Sequence, residues 1–215
     1  MLFIQLWPNR HNPGVVMHTK KLGLALALLA GVGISGMVYA VPIKYVAQLD
    51  GPSEAPPNVS PATGFATVVL DTDADTLQVD VTFSGLVGTV TAAHIHCCTA
   101  TPTVGTAGVA TQTPTFTGFP SGVSSGTYQH IFDTSLSPTF NAPFVTNNGG
   151  TAAGAETALA AGLNTGRAYF NIHTTTFPGG EIRGFLQSVP EPASLTLLGI
   201  GLAGLGFTRR RQRKS

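Results

Sequence analysis

The sequence is poor in charge. Only 10% of its 215 residues are Asp, Glu, Lys or Arg, less than half the usual share for a soluble protein. Basic residues are rarest in the middle. Between Val41 and Ser188 only Lys44, Arg167 and Arg183 stand against nine acidic residues, a net charge of −6. A nucleic-acid surface needs clustered Lys and Arg to neutralise phosphate, so the composition excludes that partner. Cysteine is confined to the adjacent pair Cys97 and Cys98. No internal repeat and no complete catalytic constellation stand out. What the chain has instead is Gly, Thr, Ala and Val, a composition of short strands and tight turns rather than surface helices.

Both ends read as addresses. Lys20 and Lys21 precede an apolar run from Leu22 to Val38, and Val38-Tyr39-Ala40 places small or apolar residues where signal peptidase cuts. This is the order of a secretory signal, with the mature chain expected to start at Val41. Met17 would open a compact signal. Met1 to Val16 then reads as an over-extended start or a long n-region. A retained anchor is the competing reading. At the far end, Val189-Pro190-Glu191-Pro192-Ala193-Ser194 leads into the apolar stretch Leu195–Phe207, and Arg209, Arg210, Arg211, Arg213 and Lys214 close the chain. The stretch is shorter than the roughly 20 residues of a comfortable span. Long basic side chains can snorkel to the headgroups. They should stay cytoplasmic and leave the Pro-Glu-Pro side outside. The expected organisation is 1–40 extension and signal peptide, 41–188 folded domain, and 189–215 sorting tail.

The motif, apolar span and basic end together resemble the PEP-CTERM sorting signal. The resemblance implies an exosortase-like enzyme that cuts near Pro190-Glu191-Pro192. The protein is then held briefly in the inner membrane by its tail and released to the cell surface or extracellular matrix. Hosts of that system are Gram-negative bacteria that make exopolysaccharide. An ordinary tail anchor is the competing reading.

Between these ends the pattern is β. Leu77, Val79, Val81 and Phe83 alternate with Gln78, Asp80 and Thr82, the period-two signature of a half-buried strand. Phe65–Leu70 reads as its hairpin partner across the turn Asp71–Asp75. Further strands are expected at Lys44–Asp50, Val90–His96, Thr127–Phe132, Ala168–His173 and Glu181–Leu186. Thr99–Gly126 reads as long loops with room for one weak strand. One helix is expected from about Ala152 to Leu163, closed by Asn164 and Gly166.

Several pieces fall into one pattern: Gly64-Phe65-Ala66-Thr67, Phe83-Ser84-Gly85-Leu86, Ala92-Ala93-His94-Ile95-His96, the run Gly166 to Thr174, and Pro178-Gly179-Gly180-Glu181-Ile182-Arg183-Gly184. From about Tyr45 to Gln187 the chain resembles the CHRD domain, named after the extracellular protein chordin. The resemblance implies an extracellular, immunoglobulin-like binding or structural module and carries no established activity. Family members usually continue after the second histidine with Gly-Pro, where this chain has Cys97-Cys98. The expected fold is therefore an all-β, immunoglobulin-like antiparallel β-sandwich with one short helix. An N-terminal signal helix and a C-terminal hydrophobic helix should flank it.

Candidate chemistry collects on a few strand faces. Residues two apart share a face, so His94 and His96 point together, as do Tyr169, Asn171 and His173. If the two strands are neighbours, these faces merge. Three imidazoles suit Cu or Zn, and Cys98 would join them if the strand ran on. His130 is a more distant candidate. The competing reading has His94, His96 and His173 ordering the sheet through hydrogen bonds. Glu181 and Arg183 share a face and are expected to form a structural ion pair. Cys97 and Cys98 suit a vicinal disulfide, with free thiols, interchain cross-links and metal thiolates left open. Gly122-Val123-Ser124-Ser125-Gly126 matches a hydrolase elbow but lacks the strand-to-helix context. Asp71, Asp73 and Asp75 imitate a calcium loop but lack its glycine and closing glutamate. The leading expectation is a non-enzymatic binding or structural module of the surface or matrix. The alternative is a metal-binding domain with scope for redox activity, and a hydrolase built on Ser124 ranks third.

Overall fold

The structure is a computed structural model that describes residues 41–190 and 201. The expected signal helix, the C-terminal hydrophobic helix and the residues from Glu191 on, Gly201 apart, lie outside the described residues. Among the described residues no helix is long and apolar enough to cross a membrane.

Seven strands form where the sequence pattern predicts them, and a short eighth was not foreseen. They are β1 (Ile43–Asp50), β2 (Thr63–Asp71), β3 (Thr76–Ser84), β4 (Val90–Cys97), β5 (Gly126–Asp133), β6 (Ala168–Thr174), β7 (Ile182–Phe185) and the short β8 (Gln187–Ser188). They pair antiparallel in the order β4-β6-β7-β1-β2-β3-β5, with β8 on β1. The sheet curls on itself, giving an all-β, sandwich-like fold. Ala66, Val68 and Leu70 of β2 and Leu77, Val79, Val81 and Phe83 of β3 all turn inward and are buried. Their neighbours in sequence face outward, as period two requires.

The two halves of the sheet meet through aromatic rings. Phe116, from the long segment between β4 and β5, lies 5.9 Å from Phe170 of β6 and 5.1 Å from Phe132 of β5. Phe119 stacks on Phe83 of β3 at 5.7 Å. Both phenylalanines are buried and link β6 to β5 and β3. Truncating a buried ring of this kind costs about 3–5 kcal/mol.

The same segment covers the free edge of β4. The amides of Cys97, Ala110 and Phe116 bond to the carbonyls of Gly108, Ile95 and Ala93. The hydroxyls of Thr111 and Thr115 accept from the amides of Ile95 and Ala93 at 2.9 Å each. The loop reading of this segment is thus met, and irregular backbone takes the place of a further strand.

Two helices follow β5: α1 (Ala142–Asn147) and α2 (Ala152–Asn164). The second is the expected one. Thr151 caps its first turn by accepting from the Gly154 amide at 3.1 Å. Gly166, at φ +65°, supplies the left-handed residue that ends it. Tyr45 of β1 donates to Asn164 at 2.6 Å and ties the helix end to the sheet. The shorter α1 was not foreseen. Pro143 in its first turn suits a helix start, but six residues show too little periodicity to announce one.

Candidate functional site: a histidine tripod on β4 and β6

Strand β4 lies directly against β6, so their polar faces merge. The register sets His94 opposite Asn171, His96 opposite Tyr169 and Ala92 opposite His173. His173 is therefore diagonal to His94, within side-chain reach on the shared face. The ligand atoms of His94, His96 and His173 all lie within 4.8 Å of one another. His94 Nε2 and His173 Nε2 are 3.0 Å apart.

Backbone carbonyls orient two of the rings. His96 Nδ1 sits 2.8 Å from the Ala107 carbonyl and His173 Nδ1 2.9 Å from the Pro178 carbonyl. A carbonyl can only accept, so both Nδ1 atoms carry the proton and both Nε2 atoms present a lone pair. The His96 ring also stacks on Tyr169, nearly parallel, at 4.7 Å. His94 Nδ1 and His96 Nε2 are buried and have no hydrogen-bond partner among the described residues.

Burial makes these imidazoles neutral. It lowers His94 to about 3, helped by the neighbouring His96 and His173, while the Pro114 backbone pulls the other way. It lowers His96 to about 4 against the Ala107 carbonyl. His173 is lowered for the same reason. Three neutral imidazoles without an adjacent carboxylate can hold a late transition metal such as Cu or Zn and offer little to Ca or Mg.

The other expected site residues are placed differently. Strand β4 ends at Cys97, so the alternation that would bring Cys98 to the histidine face stops one residue short. Cys97 and Cys98 are joined to each other in a disulfide. Their sulfurs pack on Gly162 of α2, where a Cβ would collide with both. Cys98 is thus removed from the tripod. His130 lies on β5, opposite Val79. Ser124 leads into β5 rather than a helix, and its carbonyl accepts from the Leu86 amide. Asp71 accepts from the amides of Asp73 and Ala74 at 3.0 Å each and closes an ordinary turn.

The expected Glu181–Arg183 ion pair needs correction. Glu181 precedes β7, so period two does not place it on the Arg183 face. Its carboxylate is fully buried. It accepts from Ser60 Oγ at 2.6 Å, the Val87 amide at 2.6 Å, the Gly88 amide at 3.1 Å and Thr174 Oγ1 at 2.7 Å. Burial pushes its pKa up, but these four donors outweigh burial and hold it below the usual range. Arg183 instead pairs with Glu54 at 3.8 Å. It donates to the carbonyls of Ser53 and Gly105 and lies 4.8 Å over the Tyr169 ring. Glu54 escaped the sequence reading because it sits in a Pro-rich turn with no period. Burial raises it to about 7, against the Arg183 charge.

A second feature is the outer face of β1-β2-β3-β5. Cross-strand registers line up Gln48, Phe65, Thr82 and Thr127 in one row and Val46, Thr67, Asp80 and Gln129 in the next. Phe65 is 39% exposed there. Two adjoining grooves of about 630 and 430 Å³ share Phe65, Thr82 and Thr127.

A curled antiparallel sheet with a covered edge and a polar outer face defines an all-β module. The comparisons with known proteins name its family. The CHRD domain model matches residues 45–186, and the chain belongs to the CHRD domain family. The PEP-CTERM protein-sorting motif matches residues 188–212. No curated protein and no solved structure matches the chain. The sorting motif makes this an exported protein, handled by an exosortase-like enzyme and carried through a membrane-anchored intermediate to the cell surface or extracellular space. The CHRD family is not a known enzyme family.

Proposed function

We propose that the domain is a non-enzymatic binding and packing module of the cell surface or extracellular matrix. It meets extracellular polymer, exopolysaccharide in particular, with the outer face of β1-β2-β3-β5. The observation that carries this reading is that face itself. Its rows are mostly uncharged hydrogen-bonding side chains around one exposed aromatic ring, Phe65. Hydroxyl-rich polymer offers many donors and acceptors but little charge, and a face of Gln, Thr and one ring suits it. Signal peptidase removes residues 1–40, leaving Val41 as the first residue. The exosortase-like enzyme cuts near Pro190-Glu191-Pro192, and the basic end from Arg209 to Lys214 stays behind.

The test is sedimentation of the mature exported protein with exopolysaccharide from the producing cells. Co-sedimentation that falls several-fold in Phe65→Ala, with the circular dichroism spectrum unchanged, is the expected result. No co-sedimentation of the wild type, together with an unaltered biofilm after gene deletion, would sink the reading. N-terminal sequencing checks the maturation: a chain beginning at Met1 or Met17 contradicts cleavage.

A further inference from the structure

We propose that His94, His96 and His173 form a binding site for one late transition-metal ion, copper or zinc. The three Nε2 atoms hold the ion and one position is left for a ligand from solvent. This site lies on β4 and β6, apart from the outer face of β1-β2-β3-β5, and does not depend on the polymer reading.

The argument starts with protons. The carbonyls of Ala107 and Pro178 fix the hydrogen of His96 and His173 on Nδ1. Both Nε2 atoms are then acceptors. Only His94 has a proton to give toward the cluster, and its Nε2 already lies 3.0 Å from that of His173. His96 Nε2 remains a buried acceptor with no partner among the described residues. A sheet-ordering role therefore leaves two buried ring nitrogens, His96 Nε2 and His94 Nδ1, without a partner, at about 1–3 kcal/mol each. With the His94 proton on Nδ1, a single cation accepts the lone pairs of all three Nε2 atoms and so satisfies His96 Nε2.

The spacing agrees. A tetrahedral ion with Zn–N bonds of about 2.0–2.1 Å holds its nitrogens roughly 3.3 Å apart. One pair is already at 3.0 Å. No pair exceeds 4.8 Å, so closure needs a shift of no more than about 1.5 Å. His94 and His173 already touch, so the remaining closure falls to His96, whose ring stacks on Tyr169. The outer supports have the form that metal-ligating histidines use, with the far ring N–H donated to a carbonyl. Three imidazoles without carboxylate or thiolate select the borderline metals. The sulfurs are committed to the Cys97–Cys98 bond. With three protein ligands, a four-coordinate ion keeps one exchangeable position.

The experiment uses the mature exported protein, equilibrated separately with Cu(II) and Zn(II), dialysed, and analysed for metal by mass spectrometry. X-ray absorption then reports the donor atoms. The expected result is one ion per chain with imidazole nitrogens around it. Affinity should fall at least ~100-fold in His94→Ala/His96→Ala and stay unchanged in His130→Ala. His173→Gln, checked by circular dichroism, replaces the double variant if that one fails to fold. Absence of stoichiometric metal in the wild type overturns the proposal. So does equal binding in the folded variants, or an absorption spectrum without imidazole scattering.

Discussion

Replacing Glu181 by Gln removes one charge and tests whether this buried carboxylate fastens the domain. Each of its oxygens takes one backbone amide and one hydroxyl: Oε1 receives Val87 N–H and Ser60, and Oε2 receives Gly88 N–H and Thr174. A hydroxyl can turn and accept from the new amide group, but a backbone N–H cannot. Whichever oxygen becomes NH2, one amide N–H is left facing another donor. That orphan costs about 1–3 kcal/mol, and the surviving bonds lose their charge assistance. The expected loss is about 2–5 kcal/mol out of a typical total of about 5–15. For a domain of this size the melting temperature should fall by roughly 4–20 °C. The chain's single Trp, Trp7, precedes Val41 and is absent from the proposed mature domain. Urea unfolding of the mature domain should therefore be followed by far-ultraviolet circular dichroism. The pH dependence gives an independent sign. Glu181 is held below its ordinary pKa, so its contribution is complete above the unfolded value and is lost as pH falls through the folded one. The gap between wild type and variant should narrow in acid. A loss below about 1 kcal/mol at pH 7, or a gap that widens in acid, would refute the reasoning.

Glu54 should show the opposite slope. Its pKa is raised from 4.5 to about 7, so the wild type loses stability as pH rises through that window. Glu54→Gln should flatten stability against pH there by about 1–2 kcal/mol after allowance for solvent screening, as read by urea titration at pH 5 and pH 8. Gly162→Ala drives a methyl into both disulfide sulfurs and should cost about 1–3 kcal/mol by thermal melting. Replacing Pro190-Glu191-Pro192 by alanines should leave the protein in the membrane fraction, measured by fractionation and blotting against the released wild type.

Much of the fold was legible because alternation is local. Leu77, Val79, Val81 and Phe83 announce their strand with no help from the rest of the chain. Asn164 and Gly166 close α2 in the same way, whereas its Thr151 cap was not read. Which residues share a face was equally readable, and this brought His94 and His96 together. Joining His173 to them required knowing that β6 is the neighbour of β4, a long-range fact that periodicity does not hold. The Arg183 partner was misassigned because period two says nothing once the strand has stopped, and Glu181 lies just before it. Glu54 and the edge-covering carbonyls come from turns, where position is set by tertiary contacts rather than local pattern. Cys98 was extrapolated one residue too far along a strand that ends at Cys97.

The two margins of the sheet are unequal. The hydrogen-bonding groups of β4 are capped by the segment from Gly108 to Phe116, whereas among the described residues no strand pairs with the outer side of β5. An uncovered strand margin is a template for a second chain. On β5 that margin carries Ile131, which is 61% exposed, and only one charged residue, Asp133. With β4 covered, a second copy of this domain finds only one open margin to pair with, β5 against β5. Such a block joins a partner through one side and cannot extend into a fibre.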